Sequence, residues 1–187
     1  MFRHLLRLLP ALVLICLAAA VALSGPRQAA AEGQKAHLYP ADRAVVKQIR
    51  HYRKQTWRWQ SLMGVRRTPA TRTAEKDPSH AFKVWVRNLW KHRATKARRK
   101  AARPPHRSGW LCIHHFEGAW TDPNAPYYGG LQMDLSFQRT YGRELLRRKG
   151  TANHWTPLEQ MWVAERAHRS GRGYYPWPNT ARSCGLI

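Results

Sequence analysis

His115-Phe116-Glu117-Gly118-Ala119-Trp120 is followed, ten residues after its glutamate, by Tyr127-Tyr128-Gly129-Gly130-Leu131-Gln132. One carboxylate stands here among aromatics and glycines. Such neighbours withdraw water from a carboxyl group and raise its pKa, so that it still carries a proton to donate near neutral pH. Glu117 is therefore the candidate catalytic residue. Trp110 to His115 reads as a helix leading into it, Asp122-Pro123-Asn124 and Tyr128-Gly129-Gly130 are turn sequences, and Leu131 to Tyr141 reads as a second helix. A small hairpin is expected near Tyr127 to Leu131. Further on, Thr156-Pro157-Leu158-Glu159 combines an N-cap, proline at the first helical position and an acid at the third. It predicts a helix through Trp162, Val163, Ala164 and Ala167 that stops at Gly171. The expected class is α+β, mostly α.

The charge divides the chain. Gly33 to Gly109 holds 21 Lys and Arg against Asp42, Glu75 and Asp77, whereas Trp110 to Ile187 holds nine against six acids. Most of the net charge of +23 thus lies upstream of Glu117. In that half, Val45, Val46, Ile49, Tyr52, Trp59, Leu62 and Met63 recur at mostly helical intervals among Arg and Lys, predicting a basic amphipathic helix from Ala41 to about Met63. A second helix is expected from Ser79, a good N-cap, with Phe82, Val84, Trp85, Val86, Leu89 and Trp90 on its apolar face. Beyond Trp90, the run Lys91 to Arg103 reads as a solvated helix end or a flexible tether. The two helices are expected either to pair as a hairpin or to lie on an anionic surface.

At the start, Arg3 and Arg7, an apolar stretch from Leu8 to Leu23 and Ala29-Ala30-Ala31 have the order of a secretory signal, with cleavage expected after Ala31. An uncleaved N-terminal membrane anchor is the alternative. Cleavage leaves Cys112 and Cys184 as the cysteines of the mature chain, and an even pair in an exported protein predicts one disulfide. The expected organisation is a signal peptide over 1–31, a basic helical region and linker over 32–108, and a compact domain over 109–187.

The stretch from Trp110 to Gly185 resembles the transglycosylase-like domain of actinobacterial resuscitation-promoting factors, small secreted relatives of lysozyme. Three blocks carry the resemblance: Glu117-Gly118-Ala119-Trp120; Tyr127 to Asp134; and Thr156 to Gln160 leading to Val163-Ala164-Glu165-Arg166. The resemblance implies a small lysozyme-like domain that cleaves the peptidoglycan bond between N-acetylmuramic acid and N-acetylglucosamine, with Glu117 as the general acid. It offers no clearly placed nucleophile, where glycoside hydrolysis normally employs two carboxyl groups. A lytic transglycosylase route giving a 1,6-anhydro product fits a single acid, and a muramidase is the other possibility, with Asp134 as the alternative second carboxylate. The family commonly has a cysteine immediately before its glutamate, whereas Phe116 stands there in this chain and the cysteine has moved to Cys112.

Sugar rings bury their C–H faces on flat aromatics. Trp120, Tyr127, Tyr128 and Trp155 are the candidate platforms, Gln132 a partner for an acetamido group, and Asp134 a positioning group. Gly129 and Gly130 are expected to let the backbone approach a ligand. No cofactor is expected, and no metal, since adjacent His114 and His115 point apart on a helix and no His-x-x-x-His or Cys-x-x-Cys pair occurs. The expected partners are glycan strands, together with anionic wall polymers or a membrane surface met by the basic helices. The rival reading is a non-catalytic protein that binds cell wall or anionic polymers through those helices. Nucleic acid, which would also suit the charge, is disfavoured by the export signal.

Overall fold

A computed structural model describes residues 40–187 of the chain. The expected signal peptide and its cleavage point lie outside the described residues. The described residues belong to one compact unit. No described helix is long and apolar enough to cross a membrane. The elements are α1 (Pro40–Leu62), α2 (His80–Ala101), α3 (Arg107–Glu117), β1 (Tyr127–Tyr128), β2 (Met133–Asp134), α4 (Leu135–Tyr141), α5 (Arg143–Lys149), α6 (Pro157–Ala167) and α7 (Pro178–Ser183). This is the mostly α, α+β architecture that the periodicities and turn sequences predict. Its sheet is one antiparallel pair, with Tyr127 opposite Asp134 and Tyr128 opposite Met133.

The two basic helices pair, but side by side in the same direction and not as the expected hairpin, because the segment after Met63 runs back along α1, where Glu75 meets Arg50 and Arg53, before α2 begins. Val45 and Ile49 of α1 meet Val86 and Trp90 of α2, with Tyr52, Trp57 and Val84 packed around them. Ser79 caps α2, accepting from the Phe82 amide. One detail of α2 differs from expectation: Phe82 and Trp85 are not on the packed face; they stack on each other, 5.8 Å between centroids, and are exposed. Of the two expectations for the charge run beyond Trp90, the helix end holds and the tether does not: the helix is unbroken to Ala101, because Ala94, Ala97 and Ala101 form a buried stripe beneath the cations. Small residues at three- and four-residue spacing bring the helix backbone close to its neighbours.

A charged group is buried where the two helices begin. Lys83, 1% exposed, donates from Nζ to Asp42 Oδ2 at 2.8 Å, and His80 Nδ1 lies 2.6 Å from Asp42 Oδ1. Hydrogen bonds from Lys83 and His80 hold the Asp42 carboxyl below its ordinary value. A carboxyl depressed by folding contributes stability that is complete above its unfolded pKa of about 4 and is lost as pH falls through the folded value. Thermal melts across a pH series should therefore show Tm falling below about pH 4, and Asp42→Asn, less stable at pH 7, should flatten that fall.

Both basic helices end on α6. Trp162 Nε1 donates to the Ala101 carbonyl at 2.7 Å; Arg166 Nη2 donates to the Ser61 and Leu62 carbonyls at 3.1 and 2.7 Å; Arg169 Nη2 donates to Met63 O at 2.6 Å. The last carbonyls of a helix have no partner within it and carry the negative end of its dipole, so arginine donors satisfy both needs. The main core lies on the other side of α6, built from Trp110, Ile113, Leu131, Met133, Phe137, Trp155, Val163 and Trp177. The capping box at Thr156 and Glu159 is present as predicted. Past Ala167 the chain widens into a π turn, His168–Arg172, broken at Gly171 with φ 94°.

The helix expected from Leu131 instead starts at Leu135. Gln132 takes a φ of 46°, which no helix accommodates, and closes the turn between β1 and β2. Asp134 then caps α4, accepting from the Phe137 amide at 2.7 Å.

Candidate active site

Helix α3 ends at Glu117 because Gly118 adopts φ 138° and ψ −168°, a backbone state rarely open to a residue with a Cβ. The glutamate is partly buried, and its Oε1 accepts a 2.8 Å hydrogen bond from Thr180 Oγ1 of α7. Covalent chemistry holds that contact in place. Cys112 of α3 and Cys184, which caps α7, form the expected disulfide, and Thr180 stands one turn before Cys184 on α7. Phe116 and His115 face solvent, with Phe116 54% exposed, so the apolar surroundings expected for Glu117 do not come from its immediate neighbours. Successive helical side chains diverge by about 100°, and a residue beside the glutamate in sequence need not flank it in space.

The turn from Gly129 to Gln132 packs one helical turn behind the glutamate. His114 Nδ1 lies 3.2 Å from Gly130 O, and a Cβ on Gly130 would stand 2.5 Å from that nitrogen and 2.8 Å from the Trp120 ring. Gly129, at φ 73°, faces Gln160, whose Oε1 would be 2.6 Å from an added Cβ. These glycines bring the backbone against α3 and α6, not against a ligand as expected. Gln160 is buried and donates to Trp120 O, Ala152 O and Trp155 O, tying the glutamate loop to α6. Gly129→Ala combines a left-handed φ with a collision on a buried amide and should destabilise the fold by about 3 kcal/mol, read as a lower urea midpoint.

A second carboxylate lies beside the glutamate's neighbour. Asp122 Oδ2 accepts from Gln132 Nε2 at 2.9 Å, while Oδ1 accepts from the Asn124 backbone and side-chain amides at 3.1 and 2.6 Å. A Cβ on Gly118 would lie 3.6 Å from Asp122 Oδ2 and 3.7 Å from Gln132 Nε2. Asp122 and Gln132 therefore wall the position next to Glu117. The Gln132 amide nitrogen is occupied by Asp122 and the Gly129 carbonyl, leaving its Oε1 to meet a ligand donor.

The other expected site residues divide. Tyr127 is 50% exposed and Tyr128 partly buried at the mouth of the hairpin, so both keep surface for a ligand. Trp120 stacks on His114 with centroids 3.9 Å apart, and that face is taken. Trp155 is a core residue, 2% exposed, with Nε1 donating to Gly150 O; it is not a cleft platform. Asp134 is engaged as a helix cap, accepting also from Ser136, and the Phe137 amide chiefly holds its carboxyl below the ordinary value.

Thr180 and Asp122 were not singled out by sequence reasoning. Asp122-Pro123-Asn124 reads only as a turn, and Thr180 lies 63 residues from its partner with no local pattern to mark it. Compared with protein-family models, curated proteins and solved structures, the chain matches none.

Proposed function

We propose that the protein is a secreted peptidoglycan-cleaving glycosidase, a lytic transglycosylase or muramidase related to the resuscitation-promoting factors, acting on the bond between N-acetylmuramic acid and N-acetylglucosamine. The observation that carries this reading is Glu117 at the terminus of α3, held by Thr180 and flanked by a tyrosine hairpin through the Asp122–Gln132 pair. Glu117 gives its proton to the glycosidic oxygen as that bond breaks. In the transglycosylase route it then accepts the proton of the muramoyl 6-hydroxyl as that oxygen attacks the anomeric carbon, and no water is consumed. Asp134 is engaged as a helix cap and Asp122 by Gln132 and Asn124, which favours this route over one needing a free nucleophile. Tyr127 and Tyr128 supply faces for the sugar rings.

Thr180 is a positioning residue in this scheme. Thr180→Val keeps the side-chain shape but removes the donor, and a hydrogen bond to a carboxylate contributes about 1.5–3 kcal/mol. Turnover should fall by ~10-fold or more while KM changes little, measured on soluble glycan strands.

Export is supported by the Cys112–Cys184 disulfide, a bond suited to an oxidising compartment. The basic helix pair then holds the enzyme to the anionic wall or membrane face. Mass spectrometry of fragments released from purified peptidoglycan tests the whole reading, with Glu117→Gln as the control. Anhydro-muropeptides absent in the variant support a transglycosylase; reducing ends absent in the variant support a muramidase. Wall binding by both proteins without release of fragments favours the non-catalytic binding protein instead.

A further inference from the structure

A cation-lined hollow lies away from Glu117. A cleft of about 610 Å³ opens between α1 and the α5–α6 layer, where Lys54, Arg58 and Arg67 face Arg148 and Lys149 across it. Its volume is that of a typical ligand site. Two carboxylates, Glu144 and Glu159, also line it. Glu159 is matched by Lys149 at 2.7 Å, and Glu144 pairs with Arg148 at 3.8 Å. That leaves the α1 side unneutralised. Among the described residues, the Lys54 ammonium makes no ion pair or hydrogen bond, the Arg58 guanidinium touches only the Trp59 ring at 5.3 Å, and Arg67 donates to the neutral Ser61 hydroxyl at 3.0 Å.

From this arrangement we infer that the cleft binds a phosphodiester-linked polyol chain, with the phosphates along α1. Lys54 and Arg58, four residues apart, share one helix face and set cations in a row along the cleft, which suits an extended ligand more than a single small anion. Arginine forks and lysine ammonium groups are the usual partners of phosphate oxygens. The same geometry disfavours single-stranded nucleic acid, whose bases need open aromatic faces. Trp57, the one indole lining the cleft, is engaged: Nε1 donates to Thr68 O at 2.8 Å, its edge meets Trp90, and the Arg53 guanidinium lies 5.3 Å from its ring. This inference deepens the wall-surface part of the proposed function and does not depend on cleavage at Glu117.

Isothermal titration calorimetry of the full chain with short oligo(glycerol phosphate) tests it. The cleft variant is Lys54→Glu with Arg58→Glu. The control is Arg98→Glu with Arg103→Glu, an equal charge change at exposed positions outside the cleft and outside the second cation-lined hollow on α2, and circular dichroism confirms that both keep their helix. The expected result is a loss of at least ~10-fold in affinity for the cleft variant and of less than ~3-fold for the control, with wild-type binding weakening as salt is raised. Equal losses in the two variants would mean bulk charge attraction and overturn the site. Tighter binding of oligothymidylate than of oligo(glycerol phosphate) overturns the assignment of the ligand. Glu117→Gln should bind the oligomer like wild type, so a failure here is distinct from a failure of the glycosidase reading.

Discussion

Glu117→Gln should lower the rate of glycan cleavage by at least ~10²-fold, the lower range of what a general acid contributes, with the fold intact. The amide has no acidic proton to give to a leaving oxygen. Its carbonyl oxygen still accepts from Thr180 Oγ1, so the hydrogen bond that fixes the side chain at 2.8 Å in the wild type persists. Stability should therefore change by no more than about 0.5 kcal/mol, as for other substitutions that leave packing and partners in place. Release of soluble muropeptides over time, beside a thermal melt of each protein, reads both numbers. A variant that melts normally and still cleaves at the wild-type rate would remove Glu117 from the chemistry.

Replacing both Cys112 and Cys184 by serine should cost about 4 kcal/mol, because the bridge closes a loop with a sequence separation of 72 residues. Urea unfolding, with wild type plus reductant as a second arm, measures it. The loss should not be confined to stability. Thr180 reaches Glu117 from a short helix of six residues whose end is anchored by that bridge. Without it α7 is held chiefly by the packing of Trp177 and Ala181 and by Trp177 Nε1 donating to Leu131 O at 2.6 Å. Cleavage by the folded fraction should then fall towards the rate of Thr180→Val.

Much of the helical frame was legible because local chemistry marks it. Ser79 and Thr156 announce helix starts through their own side-chain oxygens, and α1 carries its apolar face at regular spacing. The features that were misread depend on partners distant in the chain. Alanine carries little hydrophobic signal, so the stripe Ala94, Ala97, Ala101 was hidden beneath lysine and arginine until its packing surface was known. The start of α4 was misplaced because Leu131-Gln132-Met133 looks helical in composition, whereas the hairpin forces Gln132 to a positive φ. At the site, Glu117 stood out as a lone acid, but Asp122 and Thr180 became its surroundings only through folding. Aromatics near it in sequence proved a poor guide, since Phe116 turns outward and Trp155 enters the core.

Helix α6 is the shared wall of the molecule: Gln160 secures the loop that follows Glu117, while Trp162 and Arg166 close the C-terminal ends of the two basic helices. A chain shortened to 109–187 would wet the Trp162 indole and strip the Arg166 guanidinium of the Ser61 and Leu62 carbonyls it now serves. The basic helix pair is therefore no detachable appendage. It and the compact part should melt in a single cooperative step, so that whatever loosens the grip of the pair also lowers the population of molecules in which the glutamate loop is correctly formed.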